Sequence, residues 1–315
     1  LDIEILDNNE EKEFLKVETK LGLKFSLELP KVEDTPRNIL GTQLFNLIES
    51  DEIVNVEYVN EFEFITFSVG VTAKGILKGF ARAKANDRLK VNTDTLSTLL
   101  MFTDKGNVYK IPAFLISNVI KEEIAIENII DGYSKKEKII DVYSIKTFNE
   151  KDMVYFFSKK GMIKKTSLKE YDGNYSSCQA YKFKYENDEL ISVCIEANDG
   201  EIVIISKKGM AIRFLSESVN AMGRVASGVT GISLKEDDQV LSGNILKLLS
   251  NTMDEIAIDD NRNEEITLLT KNKEKKVVEI RDIRVQNRAG RGTNIMVINL
   301  DDEITEALFA YKCNK

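Results

Sequence analysis

The chain has 315 residues, of which 43% are hydrophobic and 30% charged, and its formal net charge is −8. It contains neither histidine nor tryptophan, which excludes Ser-His-Asp and Cys-His catalysis and histidine-ligated metals, and argues against WD40 blades. No apolar run reaches the length of a membrane span, and the hydrophobic fraction is enough for a core.

Cysteine number and charge distribution narrow the class further. The three cysteines, Cys178, Cys194 and Cys313, are an odd number and widely separated, which is typical of a reducing compartment rather than of disulfides or zinc. The net negative charge argues at first against nucleic acid. However, residues 1–60 hold 6 Lys/Arg against 14 Asp/Glu, whereas residues 271–291 hold 8 against 3.

The first thirteen residues are polar and acidic, and they predict a linker or a frayed first strand. The chain begins with Leu1 and shows no secretory or transit pattern, so we expect it to be part of a longer protein. After residue 13 the sequence becomes repetitive.

A short Ser/Thr-Lys-Gly motif recurs between apolar runs along the whole chain. Such runs on both sides of a Lys-Gly pair predict two strands joined by a tight turn, in which glycine supplies a positive φ. A repeated motif of this kind marks a repeat architecture. The copies are Thr19–Leu23, Thr72–Ile76, Thr103–Asn107, Ser158–Met162, Ser206–Met210 and, with the glycine replaced, Thr270–Lys273.

An acidic turn that precedes an apolar strand forms a second recurring motif. It follows the first motif by about 29–33 residues in five units, whereas in the second unit the interval is only about 14, which predicts a truncated unit. The copies are Ser50–Ile53, Asn86–Leu89, Lys136–Ile139, Asn187–Leu190, Glu236–Val240 and Asp301–Ile304.

The two motifs together divide the chain into six units of one all-β domain covering residues 1–315. Each unit is expected to be a small antiparallel sheet, and six such sheets favour radial, propeller-like stacking over a β-sandwich. Pro112–Val119 is the best helical candidate, and Asn251–Glu265 is interpreted as a long loop. The predicted units are residues 14–60, 61–97, 98–150, 151–199, 200–262 and 263–315.

Neither the carboxylates nor the glycine-rich segments indicate catalysis. Gly223–Thr230 lacks the lysine of a phosphate loop, and Gly290–Gly292 lacks the third glycine and the βαβ unit of a dinucleotide site. The acidic residues recur in most units, whereas a catalytic pair has no reason to repeat, so they are interpreted as solvated turns. These residues are Asp51, Glu52, Asp188, Glu189, Asp237, Asp238, Asp301, Asp302 and Glu303.

Basic residues in or beside the repeated turns suggest a DNA-binding surface. In a radial array equivalent turns lie around one rim, where they would form a curved basic band that suits the phosphates of a duplex and tolerates any sequence. For any single lysine, a solvated strand edge is an equally good interpretation. The candidate DNA contacts are Lys74, Lys78, Lys105, Lys110, Lys159, Lys160, Lys164, Lys165, Lys207, Lys208, Arg213, Arg224, Arg281, Arg284, Arg288 and Arg291.

Three segments carry a resemblance to a known family. Phe157–Glu170, Val219–Leu234 and Leu100–Tyr109 resemble the C-terminal β-pinwheel domain of the A subunits of bacterial type IIA topoisomerases, which are DNA gyrase and topoisomerase IV. The resemblance covers about residues 61–310 well and the first 60 residues poorly. It implies a six-bladed pinwheel whose outer rim binds and bends double-stranded DNA.

The resemblance also implies partners and a location. The domain would be non-catalytic and would present DNA to the strand-passage core in the rest of the A subunit. That core works with the ATPase B subunit in an A2B2 holoenzyme, which uses ATP and Mg²⁺ elsewhere. No cofactor and no metal is expected in this domain. The implied location is the cytoplasm, in association with the nucleoid and not with a membrane.

The member of the family is indicated by one motif. Gyrase A subunits carry a Gln-Arg-Arg-Gly-Gly-Lys-Gly box in the first blade, whereas the first unit here offers only Arg37–Gly41, and a degenerate copy lies at Gln286–Gly292. This favours the A protein of topoisomerase IV. The alternatives are a gyrase A protein with a lost or degenerate box, and a propeller that binds partner proteins, which the net negative charge supports. A hydrolase has little support.

Overall fold

The computed structural model describes residues 3–6, 14–29, 43–59, 62–80, 89–117, 123–197, 200–247 and 264–310. Within these residues the chain forms 23 strands and five short 3-10 helices, and no α-helix. The strands make six small antiparallel sheets. The predicted all-β fold of six small sheets is therefore confirmed.

Each sheet is built around one hairpin that carries the Ser/Thr-Lys-Gly motif. Sheet 1 has β2 (Phe14–Thr19), β3 (Lys24–Glu28) and β4 (Ile53–Val59); sheet 2 has β1 (Ile3–Leu6), β5 (Phe62–Val71), β6 (Ile76–Phe80), β7 (Lys90–Asp94) and β10 (Glu123–Ala125); sheet 3 has β8 (Thr98–Thr103), β9 (Asn107–Pro112), β11 (Ile139–Ile145) and β14 (Ser177–Gln179). Sheet 4 has β12 (Asp152–Ser158), β13 (Met162–Ser167), β15 (Leu190–Ala197) and β18 (Val229–Thr230); sheet 5 has β16 (Gly200–Ser206), β17 (Met210–Leu215), β19 (Val240–Lys247) and β22 (Thr293–Asn294); sheet 6 has β20 (Glu265–Thr270), β21 (Lys275–Glu279) and β23 (Ile304–Phe309).

The outermost strand of sheets 2 to 5 comes from the next unit along the chain. Thus β10, β14, β18 and β22 pair with β6, β9, β13 and β17 respectively. At the opposite edge of the sheets, β7, β11, β15, β19 and β23 pack against one another in succession. These five strands form a hub, and the exchanged strands lie at the rim.

Every described hairpin closes with the same hydrogen bond. The Ser/Thr hydroxyl accepts from the backbone N–H four residues later in all six copies, for example Ser158 Oγ from Met162 N at 3.3 Å. The five hairpin glycines have φ between +80° and +88°, and Lys273, which replaces glycine in the sixth copy, has φ +68°. The hydroxyl and the positive φ explain why this motif recurs.

The acidic turns were interpreted as solvated, but in each of four units one aspartate of the turn is buried. Asp51, Asp188, Asp238 and Asp302 are buried. Each accepts from the backbone N–H of the residue before the hairpin glycine or its replacement, at 3.0–3.2 Å. They therefore fix the hairpin, because a buried carboxylate is stable only when it is hydrogen-bonded. The neighbouring Glu52, Asp237 and Asp301 are exposed.

The second unit contributes three strands of its own, β5, β6 and β7, and its sheet has five because β1 and β10 join it from outside the unit. Residues 81–88, which make up most of the interval predicted to be shortened, lie outside the described residues. The Asn86–Asp87 turn lies outside the described residues, as do Arg37–Gly41, Cys313 and residues 251–263. In the described part of the helical candidate, residues 112–117, the chain forms a 3-10 helix, η1 (Ala113–Ile116).

Candidate nucleic-acid interface

The hairpins of units two to five lie against the segment that follows the next exchanged strand. The Gly161 carbonyl accepts from Gly231 N at 2.8 Å and from Ile232 N at 3.2 Å, and the Gly209 carbonyl accepts from Ile295 N at 2.8 Å. We call the four segments that lead from an exchanged strand to the next hub strand the crossing segments: residues 126–138, 180–189, 231–239 and 295–303. Hairpins and crossing segments thus share one surface.

Three of the sixteen candidate cations are turned inward and join neighbouring units. Lys110, Lys165 and Arg213 each lie four residues after a hairpin glycine and are buried. Their side chains donate to backbone carbonyls in or next to the 3-10 helix of the following unit: to Tyr171 and Gly173, to Ser216, and to Ile280 and Ile283, respectively.

Arg213 also donates from two guanidinium nitrogens to Glu201 Oε2, at 2.6 and 2.9 Å. Because these three side chains are buried and already hydrogen-bonded within the protein, they cannot contact a phosphate.

Lys164 is likewise an interior residue. It is 0% exposed, donates to the carbonyls of Ala180, Gly223 and Arg224, and lies 4.7 Å from the centroid of the Phe156 ring. Burial lowers its pKa to about 7, because the charged form of a lysine is disfavoured away from water. The predicted DNA contacts by Lys110, Lys164, Lys165 and Arg213 are therefore corrected: these residues hold blades together.

Two loop arginines are half-buried and also face the preceding unit. Arg288 donates to the carbonyls of Thr230, at 2.8 Å, and Ser218, at 3.3 Å. Arg224 occupies the equivalent position one unit earlier and lies 5.2 Å from the centroid of the Tyr175 ring. Their first role is to hold the loops in place, and only part of each guanidinium faces water.

Five further candidates lie at the surface but next to a carboxylate. Ion pairing of this type contributes little to stability when exposed, yet it competes with a phosphate for the cation. The pairs are Lys78–Glu123 (2.8 Å), Lys159–Glu189 (3.1 Å), Lys207–Glu303 (3.4 Å), Lys105–Asp104 (3.6 Å) and Arg281–Glu279.

The remaining five candidates face solvent without a carboxylate partner among the described residues. Lys74, Arg284 and Arg291 are exposed, and Lys208 is half-buried. Lys160 is exposed and donates only to the Glu186 carbonyl, at 2.7 Å. Of the sixteen predicted cations, these five have charges that are available to an anionic partner.

Sequence reasoning missed a group of lysines on the crossing segments. Lys136, Lys138, Lys182, Lys184 and Lys235 are all exposed and have no ion pair within the described part of the chain. Lys184 and Lys235 occupy equivalent positions, four residues after Ala180 and Gly231. Aligning the units on the buried aspartates, in addition to the hairpin glycines, would have revealed them.

Basic side chains of units four and five lie around Tyr185. Lys160 and Lys235 line one groove together with Tyr185 and with the carboxylates of Glu236 and Asp238. Lys160 and Lys184 lie 5.9 and 5.5 Å from the Tyr185 ring centroid. Lys182 N donates to the carbonyl of Ala226, so Lys182 lies next to unit five. Ser233 N donates to the carbonyl of Gly290, so Arg291, the next residue, lies close to the crossing segment that carries Lys235. We define the basic surface as Lys160, Lys182, Lys184, Lys235 and Arg291.

Other kinds of site find little support in the described residues. They contain no group of three or more Cys, Asp or Glu side chains arranged to hold a metal ion. No helix among them is both long and apolar enough to span a membrane.

Comparison with known proteins gives a consistent picture. The family model described as "DNA gyrase C-terminal domain, beta-propeller" matches residues 97–119, 152–173, 200–247 and 276–310. The DNA gyrase A protein of Helicobacter pylori is 27% identical over 92% of this chain and 37% of its own length. The DNA topoisomerase 4 A protein of Bacillus subtilis is 32% identical over 77% of this chain and 31% of its own length. The chain thus spans about a third of the length of these relatives.

Solved structures share the same architecture. The C-terminal domain of DNA topoisomerase IV superposes with a TM-score of 0.65 at 25% identity, over 79% of this chain and 78% of that one. The Escherichia coli ParC C-terminal domain gives a TM-score of 0.54 at 11% identity, over 95% and 99% of the two chains. The latter similarity concerns the fold alone.

Proposed function

Since this chain belongs to the family of C-terminal β-pinwheel domains of bacterial type IIA topoisomerase A subunits, we propose that it binds and bends duplex DNA. The observation that carries the proposal is the basic surface of Lys160, Lys182, Lys184, Lys235 and Arg291, which are accessible and form no ion pair among the described residues. Five such cations spread over three successive units suit the regular phosphates of a duplex.

The chemistry of the surface favours binding that does not depend on sequence. Four of the five cations are lysines, whose compact ammonium groups contact phosphates without reading base edges. The surface runs along units that are arranged radially, so a duplex that follows it has to curve. Bending 20–30 base pairs costs on the order of 1–6 kcal/mol, which several phosphate contacts at low salt can offset.

The place of this domain in a larger enzyme follows from the same proposal. The domain would hold a DNA segment for the strand-passage core in the rest of the A subunit, which works with the ATPase B subunit in an A2B2 complex. ATP and Mg²⁺ would act there, and the domain itself would be non-catalytic. Work on chromosomal DNA would take place in the cytoplasm, at the nucleoid.

A triple substitution tests the DNA-binding surface. We expect Lys182→Ala/Lys184→Ala/Lys235→Ala to weaken binding to linear duplex at least tenfold at low salt. It should also reduce the slope of log K against log salt by about 3, because each lost phosphate contact removes about 0.9. Fluorescence anisotropy titrations over a series of salt concentrations measure both quantities.

The control removes the same number of charges from places where carboxylates neutralise them. The control variant Lys20→Ala/Lys78→Ala/Lys169→Ala removes three surface lysines that are paired with Glu52, Glu123 and Asp172. It should leave the slope of log K against log salt almost unchanged. Equal losses in the two triple variants, or an affinity of the unmodified chain that does not fall with salt, would contradict the proposal.

We assign the domain to topoisomerase IV rather than gyrase, because the first unit lacks the Gln-Arg-Arg-Gly-Gly-Lys-Gly box. Two of the three surface lysines of the first hairpin support this, since Lys20 and Lys24 are paired with Glu52 and Glu18, whereas Lys16 has no ion pair among the described residues. Relaxed circular DNA closed by ligase in the presence of the domain should show little change in linking number. A strong positive shift would instead identify a gyrase-type domain.

A further inference from the structure

The lysine that precedes the hairpin glycine has a different environment in each of units three to five. These lysines are Lys105, Lys160 and Lys208. Lys105 lies near two carboxylates, the nearer one at 3.6 Å. Lys208 contacts neither a carboxylate nor an aromatic ring in the part of the chain that the structure describes. Of the three, Lys160 is the one that lies over a ring, with its ammonium group 5.9 Å from the centroid of Tyr185.

The side chain of Lys160 is fixed although it is exposed. Its backbone N–H donates to Asp188 Oδ1 at 3.0 Å, and its ammonium group donates to the Glu186 carbonyl at 2.7 Å. The Tyr185 ring is the third attachment. Since an ammonium group carries three donors, two of them remain for a ligand. The fold thus holds this cation in place without neutralising it.

A second lysine shares the same ring. The ammonium group of Lys184 lies 5.5 Å from the Tyr185 centroid, within the range in which a cation is attracted to a π-face. Tyr185 is 42% exposed, and Lys235 and Glu236 of the next unit line the groove beside it. Two ammonium groups that share one ring repel each other, so an anion that contacts both relieves this repulsion.

We propose that Tyr185 is a positioning residue for DNA binding, whose ring holds Lys160 and Lys184 where both can contact the phosphates of one duplex. This inference rests on the proposed function, and it identifies the part of the basic surface that is organised before DNA arrives. A lysine that a ligand has to immobilise loses conformational entropy on binding. Lys160 and Lys184 lose less, because their contacts with the ring already restrict them.

Two substitutions of Tyr185 separate the ring from its bulk. Tyr185→Leu keeps an apolar side chain but removes the π-face, and in anisotropy titrations it should weaken binding to linear duplex about threefold to tenfold. This is the order expected from the loss of one or two exposed cation–π contacts. The slope of log K against log salt should stay unchanged, because no charge is removed. Tyr185→Phe keeps the ring and should bind within about twofold of the unmodified chain.

A matched control and a double-mutant cycle complete the test. Tyr58 is 76% exposed in strand β4 and has no cation over its ring among the described residues, so Tyr58→Leu should leave the affinity unchanged. Lys160→Ala should weaken binding by a smaller factor in the Tyr185→Leu background than in the unmodified chain. The two factors should differ at least about twofold, because the two residues act together.

A measurement without DNA checks the geometry itself. In NMR spectra of the free chain, the ε-methylene protons of Lys160 and Lys184 should show an upfield ring-current shift, which Tyr185→Leu should abolish and Tyr185→Phe should retain. Absence of this shift in the unmodified chain would overturn the inference.

The titrations distinguish a failure of this inference from a failure of the proposed function. If the unmodified chain binds duplex with affinity that falls as salt rises, but Tyr185→Leu binds equally well, the positioning role is refuted and the proposed function stands. Equal losses in Tyr185→Leu and Tyr185→Phe would also refute it, because the hydroxyl rather than the ring would then be responsible. If the unmodified chain does not bind duplex at low salt, both proposals fail.

Discussion

Replacing Arg213 with leucine should lower the free energy of unfolding by about 3–5 kcal/mol. The substitution leaves Glu201, which is 1% exposed, without its cation, and a buried carboxylate without a partner is strongly destabilising. It also removes the donors to the carbonyls of Ile280 and Ile283. Urea denaturation followed by far-UV circular dichroism measures the change.

Two controls separate burial from charge. Arg281→Leu removes a surface guanidinium that contacts Glu279, and it should cost less than about 1 kcal/mol. Adding Glu201→Leu to Arg213→Leu should recover a large part of the loss, because the unpaired carboxylate is then gone. If Arg213→Leu and Arg281→Leu lose similar small amounts, the role of Arg213 as a link between units five and six is refuted.

Gly209→Ala is the second substitution with a large expected effect. Gly209 has φ +83°, which costs an alanine on the order of 1–2 kcal/mol. A Cβ atom at this position would lie 2.0 Å from the Met296 carbonyl oxygen. That carbonyl belongs to the backbone of the crossing segment 295–303, so overpacking adds about 1–3 kcal/mol. A total loss of about 3 kcal/mol should appear in thermal or urea denaturation.

Gly22→Ala is the matched control for this prediction. Gly22 has nearly the same φ, +88°, and nothing within 4 Å of its added Cβ atom. It should therefore show only the conformational cost. The difference between the two variants measures how tightly hairpin and crossing segment pack, and equal losses would mean that the joint between units five and six can relax at no cost.

The repeated hairpins could be predicted because their signal is local. A hydroxyl, a lysine and a glycine in fixed order determine one turn, as the bond from Met162 N to Ser158 Oγ illustrates. The exchanged strands could not be predicted, because β18 is only two residues long and pairs with Met162 and Ile163, more than sixty residues away. Short segments of this kind carry no periodicity, and only tertiary packing specifies their partner.

The inward cations were mispredicted for a related reason. Adjacent residues of a strand point to opposite faces, so the sequence alone suggests that at most one of Lys164 and Lys165 is buried. Both are buried, because carbonyls of the crossing segment and of the next unit cover the two faces of β13. Conversely, Lys182, Lys184 and Lys235 lie outside the hairpin motif, shortly before the acidic turns, and they were overlooked although they are exposed.

The joint between successive units has an evolutionary consequence. Units two to five each receive a rim strand from their successor, whose crossing segment donates to the hairpin glycine carbonyl, and in units three to five a cation four residues after that glycine adds a second contact. The strand that a unit gives and the hairpin that receives it are similar from one unit to the next. If one whole unit is duplicated or lost, the units on either side can therefore still pair with each other. Such a domain can lengthen or shorten its arc by whole units without inventing a new connection.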